Sequence, residues 1–154
     1  MQKKKYSYEE ALHRVAAMCS MAEKSECDIR NKLFEWDLIP MDIERILSYL
    51  KKENYINEER FAAAFVKDKF RFSQWGKVKI AYALRQKEIS NEIINSTLTL
   101  IEDEGYYESL LVLLRNKQKS IKSGSSYEKS AKLIRFAQSR GFELDVILKV
   151  IKQL

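Results

Sequence analysis

Histidine and proline each occur once in these 154 residues, cysteine twice and glycine four times. Each scarcity removes a class of chemistry. His13, the one imidazole, falls in a polar turn of a predicted first helix and reads as a surface residue. No histidine-based acid–base pair or metal set can be assembled around it. Cys19 and Cys27 stand eight apart with no nearby histidine and no CxxC, which argues against a metal site and a disulfide framework alike. They read as reduced, part-buried helix residues. GxxxxGK[ST], GxGxxG and HExxH are all absent. No apolar run approaches the ~20 residues of a membrane span. The basic start, Met1-Gln2-Lys3-Lys4-Lys5, leads into an alternating polar stretch rather than the apolar core of a signal peptide. Glu102, Asp103 and Glu104 read as a solvated run at a helix end, not as a paired acid and base. The expectation is a cytoplasmic protein that is not an enzyme and uses no cofactor, metal or membrane.

What remains is a folded, charge-rich chain with 45% apolar and 32% charged residues. Its apolar residues recur at a period near fifty. The sets are Ile29, Leu33, Ile39, Ile43; Ile80, Leu84, Ile89, Ile93; and Leu133, Ala137, Phe142, Val146. Upstream of them lie the pairs Leu12 and Ala16, Phe61 and Phe65, Leu110 and Leu114. Such a period marks one supersecondary unit used repeatedly. Helix signals accompany it. Ser7 with Glu10, Ser25 with Asp28, and Ser125 with Glu128 are capping boxes, Pro40 suits a first helical turn, and Asn57, Gly76 and Ser90 mark further starts. The spacing predicts about nine helices, the sixth near 91–103 and stopped by Gly105. The expected fold is all-α: an elongated, curved array of three tandem three-helix repeats, near 7–53, 57–103 and 105–154, forming one module. No heptad seam is present, so a monomer is expected.

The net charge of +6 is uneven. Residues 1–70 hold thirteen bases and thirteen acids, whereas 71–154 hold fifteen against nine. Two stretches concentrate the excess. Arg71, Lys77, Lys79, Arg85 and Lys87 run without an acid, and eight bases between Arg115 and Arg140 face Glu128 alone. This is the footprint of a polyanion partner. Trp75, beside Gly76, is the candidate for stacking on an unpaired nucleobase. Lys132 and Arg135, three apart on one predicted helix, can project from one face. Arg140, before Gly141, sits where it could equally cap its helix.

Several motifs resemble one family. Ser25-Glu26-Cys27-Asp28-Ile29 with Leu33, Tyr55-Ile56-Asn57-Glu58-Glu59-Arg60-Phe61-Ala62, Gly76 with Ile80, Leu84, Lys87 and Ile89, and Lys132, Arg135, Phe136 with Arg140-Gly141-Phe142 are similar to the RecX family of recombination regulators. The likeness runs from about residue 8 to 154. Glu88 departs from a glycine common at that turn, Asn57-Glu58 replaces an acidic pair, and Ala137 replaces a larger aliphatic residue. The resemblance implies a non-enzymatic modulator that lies in the groove of the RecA filament on single-stranded DNA. It would typically restrain RecA's ATPase, strand-exchange and coprotease functions in recombination and the SOS response. The binding candidates are Arg71, Trp75, Lys77, Lys79, Arg85, Lys87, Lys132, Arg135 and Arg140. The alternative is a sequence-nonspecific nucleic-acid binder acting alone.

Overall fold

A computed structural model describes residues 5–154, and residues 1–4 of the basic start lie outside it. Nine helices and no strand make up the described chain: α1 (Tyr8–Met21), α2 (Glu26–Glu35), α3 (Pro40–Lys52), α4 (Glu58–Arg71), α5 (Lys77–Gln86), α6 (Asn91–Leu98), α7 (Asp103–Ser120), α8 (Ser126–Ser139) and α9 (Leu144–Ile151). Substantial helix packing falls within α1–α3, α4–α6 and α7–α9. The chain exposes 10061 Å², against roughly 8,000 Å² for a compact protein of 18.2 kDa. It is therefore extended rather than a ball.

The helix starts follow their local chemistry. Ser7 with Glu10 and Ser25 with Asp28 form complete capping boxes, each satisfying two orphan N–H groups. At α8 only half the box forms: Ser125 accepts from the Glu128 N–H at 3.2 Å. Asn57 caps α4 by accepting from Arg60 N–H at 2.9 Å. The boundary between α6 and α7 differs from expectation. The sixth helix stops at Leu98, where Ser96, Thr97 and Thr99 turn their hydroxyls back onto preceding carbonyls. Gly105 lies inside the first turn of α7, and the acidic run begins that helix instead of ending the previous one. Carboxylates at a helix N-terminus meet the positive end of its dipole.

The second and third helices of each group are joined by the same turn, used three times. The residue after the cap is left-handed at Asp37 (φ 64°), Glu88 (φ 62°) and Gly141 (φ 90°). The following N–H reaches back five residues: Leu38 to Leu33, Ile89 to Leu84, and Phe142 to Ala137, at 3.3, 3.1 and 3.2 Å. Glu88 thus occupies a position that glycine holds without strain.

This turn also corrects the register of the apolar columns. Leu38, Ile89 and Phe142 are equivalent, and five residues on come the buried Ile43, Ile94 and Ile147. Ile39 is exposed and serves as the cap of α3. In the first helices, Ala11 and Val15, Ala62 and Val66, and Leu110 and Leu114 are fully or almost fully buried. Leu12 and Ala16 lie one position off that seam and are half-buried.

Two cores result. One is built from α1–α3 with Ile56. The other runs without interruption through α4–α9. The joint between α4–α6 and α7–α9 is backbone on backbone: Gly76 N–H donates to Arg140 O at 2.7 Å and Val78 N–H to Gly141 O at 2.9 Å. The joint between α1–α3 and α4–α6 is made of charged side chains. Lys87 meets Asp28 at 2.6 Å, Arg60 meets Glu23 at 2.5 Å, and Glu58 accepts from the Glu26 N–H at 3.3 Å.

Candidate nucleic-acid interface

The Gly76–Gly141 contact brings the start of α5 against the end of α8 and so places the bases of two groups side by side. Lys69 and Lys79 lie over the ring of half-buried Trp75, 4.8 and 4.6 Å from its centroid. Lys79 also points its ammonium at Ser139 O, 3.5 Å away across the joint. Arg140 donates to Ser73 O at 3.1 Å and lies 5.3 Å from the centroid of Phe136. Lys117 approaches the same ring at 4.9 Å. Phe136 and Lys117 in turn line a concavity of about 500 Å³ with Lys122, Lys132 and Arg135. Cation and aromatic therefore alternate from α4 to α8 in one ribbon. Each aromatic face holds its cation near the surface while leaving the charge available.

Beneath the ribbon, Tyr106 locks the joint. Its hydroxyl accepts from the Lys77 N–H at 2.9 Å and donates to the Glu143 carboxylate. Burial, with the hydrogen bond to Glu143, pushes its phenol well above the ordinary range, so it stays protonated. The Lys77 ammonium rests over the Tyr106 ring at 4.8 Å.

The nine sequence candidates sort accordingly. Trp75, Lys77, Lys79, Lys132, Arg135 and Arg140 fall on or beside the ribbon, Trp75 as a platform for cations and Arg140 as a pin between groups. Arg85 is exposed on α5 and donates to Asn91 at 3.3 Å. Arg71 lines a separate groove beside α4. Lys87 is committed to Asp28, with 31% of each side chain exposed. Sequence reasoning missed Lys69, which precedes the acid-free stretch, and the linking roles of Lys117 and Phe136. It also missed Tyr106 and Glu143, which nothing in the linear order connects to Lys77.

The charge balance gives the ribbon its character. Among the described residues, every ion pair takes its acid from residues 23–44. Of the described cations in α4–α9 only Arg60 and Lys87 join one, both with acids of α1–α3 or the link after α1. Cys19 and Cys27 are free thiols, and burial, with the Glu23 charge, pushes the Cys19 thiol upward. No group of residues capable of holding a metal ion occurs among the described residues. No helix there is long and apolar enough to cross a membrane.

Tandem three-helix units carrying an uncompensated basic ribbon define a helical-repeat protein. The family model for the second three-helix domain of RecX matches residues 57–98, and that for the third matches residues 104–151. The regulatory protein RecX of Clostridium botulinum (strain Eklund 17B / Type B) is 34% identical over 132 residues, covering 84% of this chain. That of Clostridium perfringens (strain 13 / Type A) is 34% identical over 133 residues, covering 85%. This chain belongs to the RecX family. It spans 61% and 62% of the length of those two relatives. The crystal structure of RecX from Lactobacillus salivarius superimposes with a TM-score of 0.84 at 22% identity, covering 96% of both chains. A second crystal structure of a regulatory protein RecX gives 0.86 at 24% identity, covering 94% of this chain and 71% of the other. These two likenesses establish the fold.

Proposed function

We propose that this chain regulates homologous recombination and the SOS response by binding the RecA filament on single-stranded DNA and restraining RecA's ATPase, strand exchange and coprotease activity. One observation carries the reading: Lys69, Lys77, Lys79, Lys117, Lys132, Arg135 and Arg140 gather in a ribbon without carboxylate partners among the described residues, while the cations of α1–α3 are largely neutralised within their own group. Each phosphate met by the ribbon releases counterions. The neutral first group then serves for contact with protein rather than DNA. An extended array suits a long groove, and the protein acts as a monomer in the cytoplasm without catalysis of its own. We take 7–53, 57–103 and 105–154, adjusted to the helix bounds above, as its three units.

Regulation demands preference. A ligand with equal affinity for two filament states shifts neither, so affinity must differ between filaments formed with an ATP analogue and with ADP. The experiment is RecA's DNA-dependent ATP hydrolysis, titrated with this protein well below one molecule per RecA. Inhibition at that level, beyond what a generic basic DNA-binding protein gives, supports the reading. Inhibition only when the protein covers the DNA itself would instead favour a stand-alone nucleic-acid binder.

A further inference from the structure

The last turns of α4 carry bases on two opposite sides. Lys69 faces Trp75 and the ribbon. Lys67 and Arg71 each stand two residues from it, about 200° round the helix, and face away. There they rim a groove of about 530 Å³ between α4 and the link from α6 to α7. Ala63, Ala64, Val66, Phe70 and Leu100 are its apolar lining. Leu100 is 63% exposed, and Phe72, just beyond α4, is 81% exposed. Neither Lys67 nor Arg71 has a carboxylate partner among the described residues.

We propose that this groove docks a segment of a partner protein that carries large apolar side chains next to carboxylates. The volume falls within the ~300–1,000 Å³ of ordinary binding clefts. Its two alanines leave room for inserted side chains, and Lys67 and Arg71 complement an acid beside them. Glu102, from the link between α6 and α7, also lines the groove. The segment's carboxylates must therefore sit beside Lys67 and Arg71 on α4 and away from Glu102. A nucleic-acid strand fits less well. Glu102 repels phosphate, and Phe70 is turned onto Tyr106 with ring centroids 6.0 Å apart, so the groove offers no free aromatic platform. The docking site thus lies on the side of α4 away from the ribbon and does not depend on the polyanion reading.

The test uses the full chain, isotope-labelled, and a fluorescent peptide of about fourteen residues that alternates Leu or Phe with Asp or Glu. Controls replace its acids by Lys, or its apolar residues by Ser, and a single-stranded oligonucleotide forms a separate arm. The acidic apolar peptide should move the amide resonances of Ala63, Ala64 and Leu100. Ala64→Arg, which fills the groove, and Arg71→Glu should each weaken its binding at least tenfold. Ala64→Arg should leave oligonucleotide binding unchanged. Circular dichroism reports whether Ala64→Arg folds, and Leu100→Asp, at an exposed position, gives the same test if it does not. Equal binding of acidic and basic peptides, or no movement of these amides, overturns the proposal. Movement caused by the oligonucleotide instead would assign the groove to nucleic acid.

Discussion

A Cβ on Gly76 would stand 2.4 Å from the carbonyl oxygen of Gly141, and one on Gly141 would stand 2.2 Å from the Cβ of Lys79. The joint between α4–α6 and α7–α9 thus closes only because both positions lack a side chain. Gly141→Ala adds a left-handed non-glycine residue to that clash and should cost about 2–4 kcal/mol, read by urea unfolding. At the equivalent turn, Glu88→Gly should stabilise by about 0.5–1 kcal/mol, because Glu88 already bears the left-handed penalty. Destabilisation at both positions would refute the equivalence of the two turns.

Tyr106→Phe removes the acceptor for Lys77 N–H and the donor to Glu143 together. It should cost about 1–3 kcal/mol and speed amide exchange at Lys77 while leaving the helices intact. The phenol's raised pKa has a second consequence. An acid held protonated by the fold stabilises it below the unfolded value, here 10.0, and loses that contribution as pH rises beyond it. Wild-type stability should fall on the alkaline side, and Tyr106→Phe should flatten that fall.

The charged joint responds to acid in two directions. Burial opposes ionisation of Asp28, but hydrogen bonds from Lys87 and Ser25 and the Lys87 charge outweigh it and hold the carboxyl low. Its stabilisation is present above the ordinary 3.8 and disappears as pH falls through the lowered value. Burial raises Glu58, and the nearby Glu26 and Asp28 charges add to it against the offsetting Glu26 N–H bond. Its ionised form is therefore penalised at neutral pH, where one of its oxygens is buried without a hydrogen-bond partner among the described residues. Asp28→Asn should remove stability at pH 7 and lose that effect in strong acid. Glu58→Gln should add stability at pH 7 and lose that gain in acid. Thermal unfolding between pH 2.5 and 7 checks both signs.

Binding of single-stranded DNA should follow the ribbon. Lys132→Glu with Arg135→Glu, or Lys77→Glu with Lys79→Glu, should weaken it about tenfold and reduce the salt slope by roughly 0.7 for each phosphate left unneutralised. Lys69→Glu should behave alike, although it lies outside the acid-free stretch. Fluorescence anisotropy at several salt concentrations reads this directly.

Lys87→Glu separates the ribbon from the joint. Because Lys87 is held by Asp28, reversal should lower stability more than DNA affinity. A double-mutant cycle of Lys87→Ala with Asp28→Ala should show coupling on the order of 0.5–1 kcal/mol for this half-exposed pair. Zero coupling would remove the pair from the joint's support.

The chain alone specified its helices. Ser7, Ser25, Asn57 and Pro40 act within one turn of themselves, and apolar spacing reports local periodicity directly. The repeat was legible for the same reason. At Glu88 only the family resemblance marked a departure from glycine, with a slightly different turn expected; the structure instead has a left-handed Glu88 in the same turn as the other two groups. The column register is one residue off at Ile39, because an apolar residue that caps a helix looks in sequence like one that fills a core. Gly105 misleads similarly: glycine stops a helix only where the backbone turns left-handed, and here the chain beyond it continues as α7.

The site was decided by tertiary structure. Composition located the excess charge in the second half of the chain, but the order of bases along it does not say which are neutralised. Lys87 finds Asp28 59 residues away, and Lys79 approaches Ser139 across 60 residues. Such pairings depend on how rigid helices are set against one another: for Lys79 through two glycines that let backbones touch, for Lys87 through the charged joint to α1–α3. Local hydrogen bonding wrote the helices into the sequence, whereas only the packed joint determined which charges remain available to a partner.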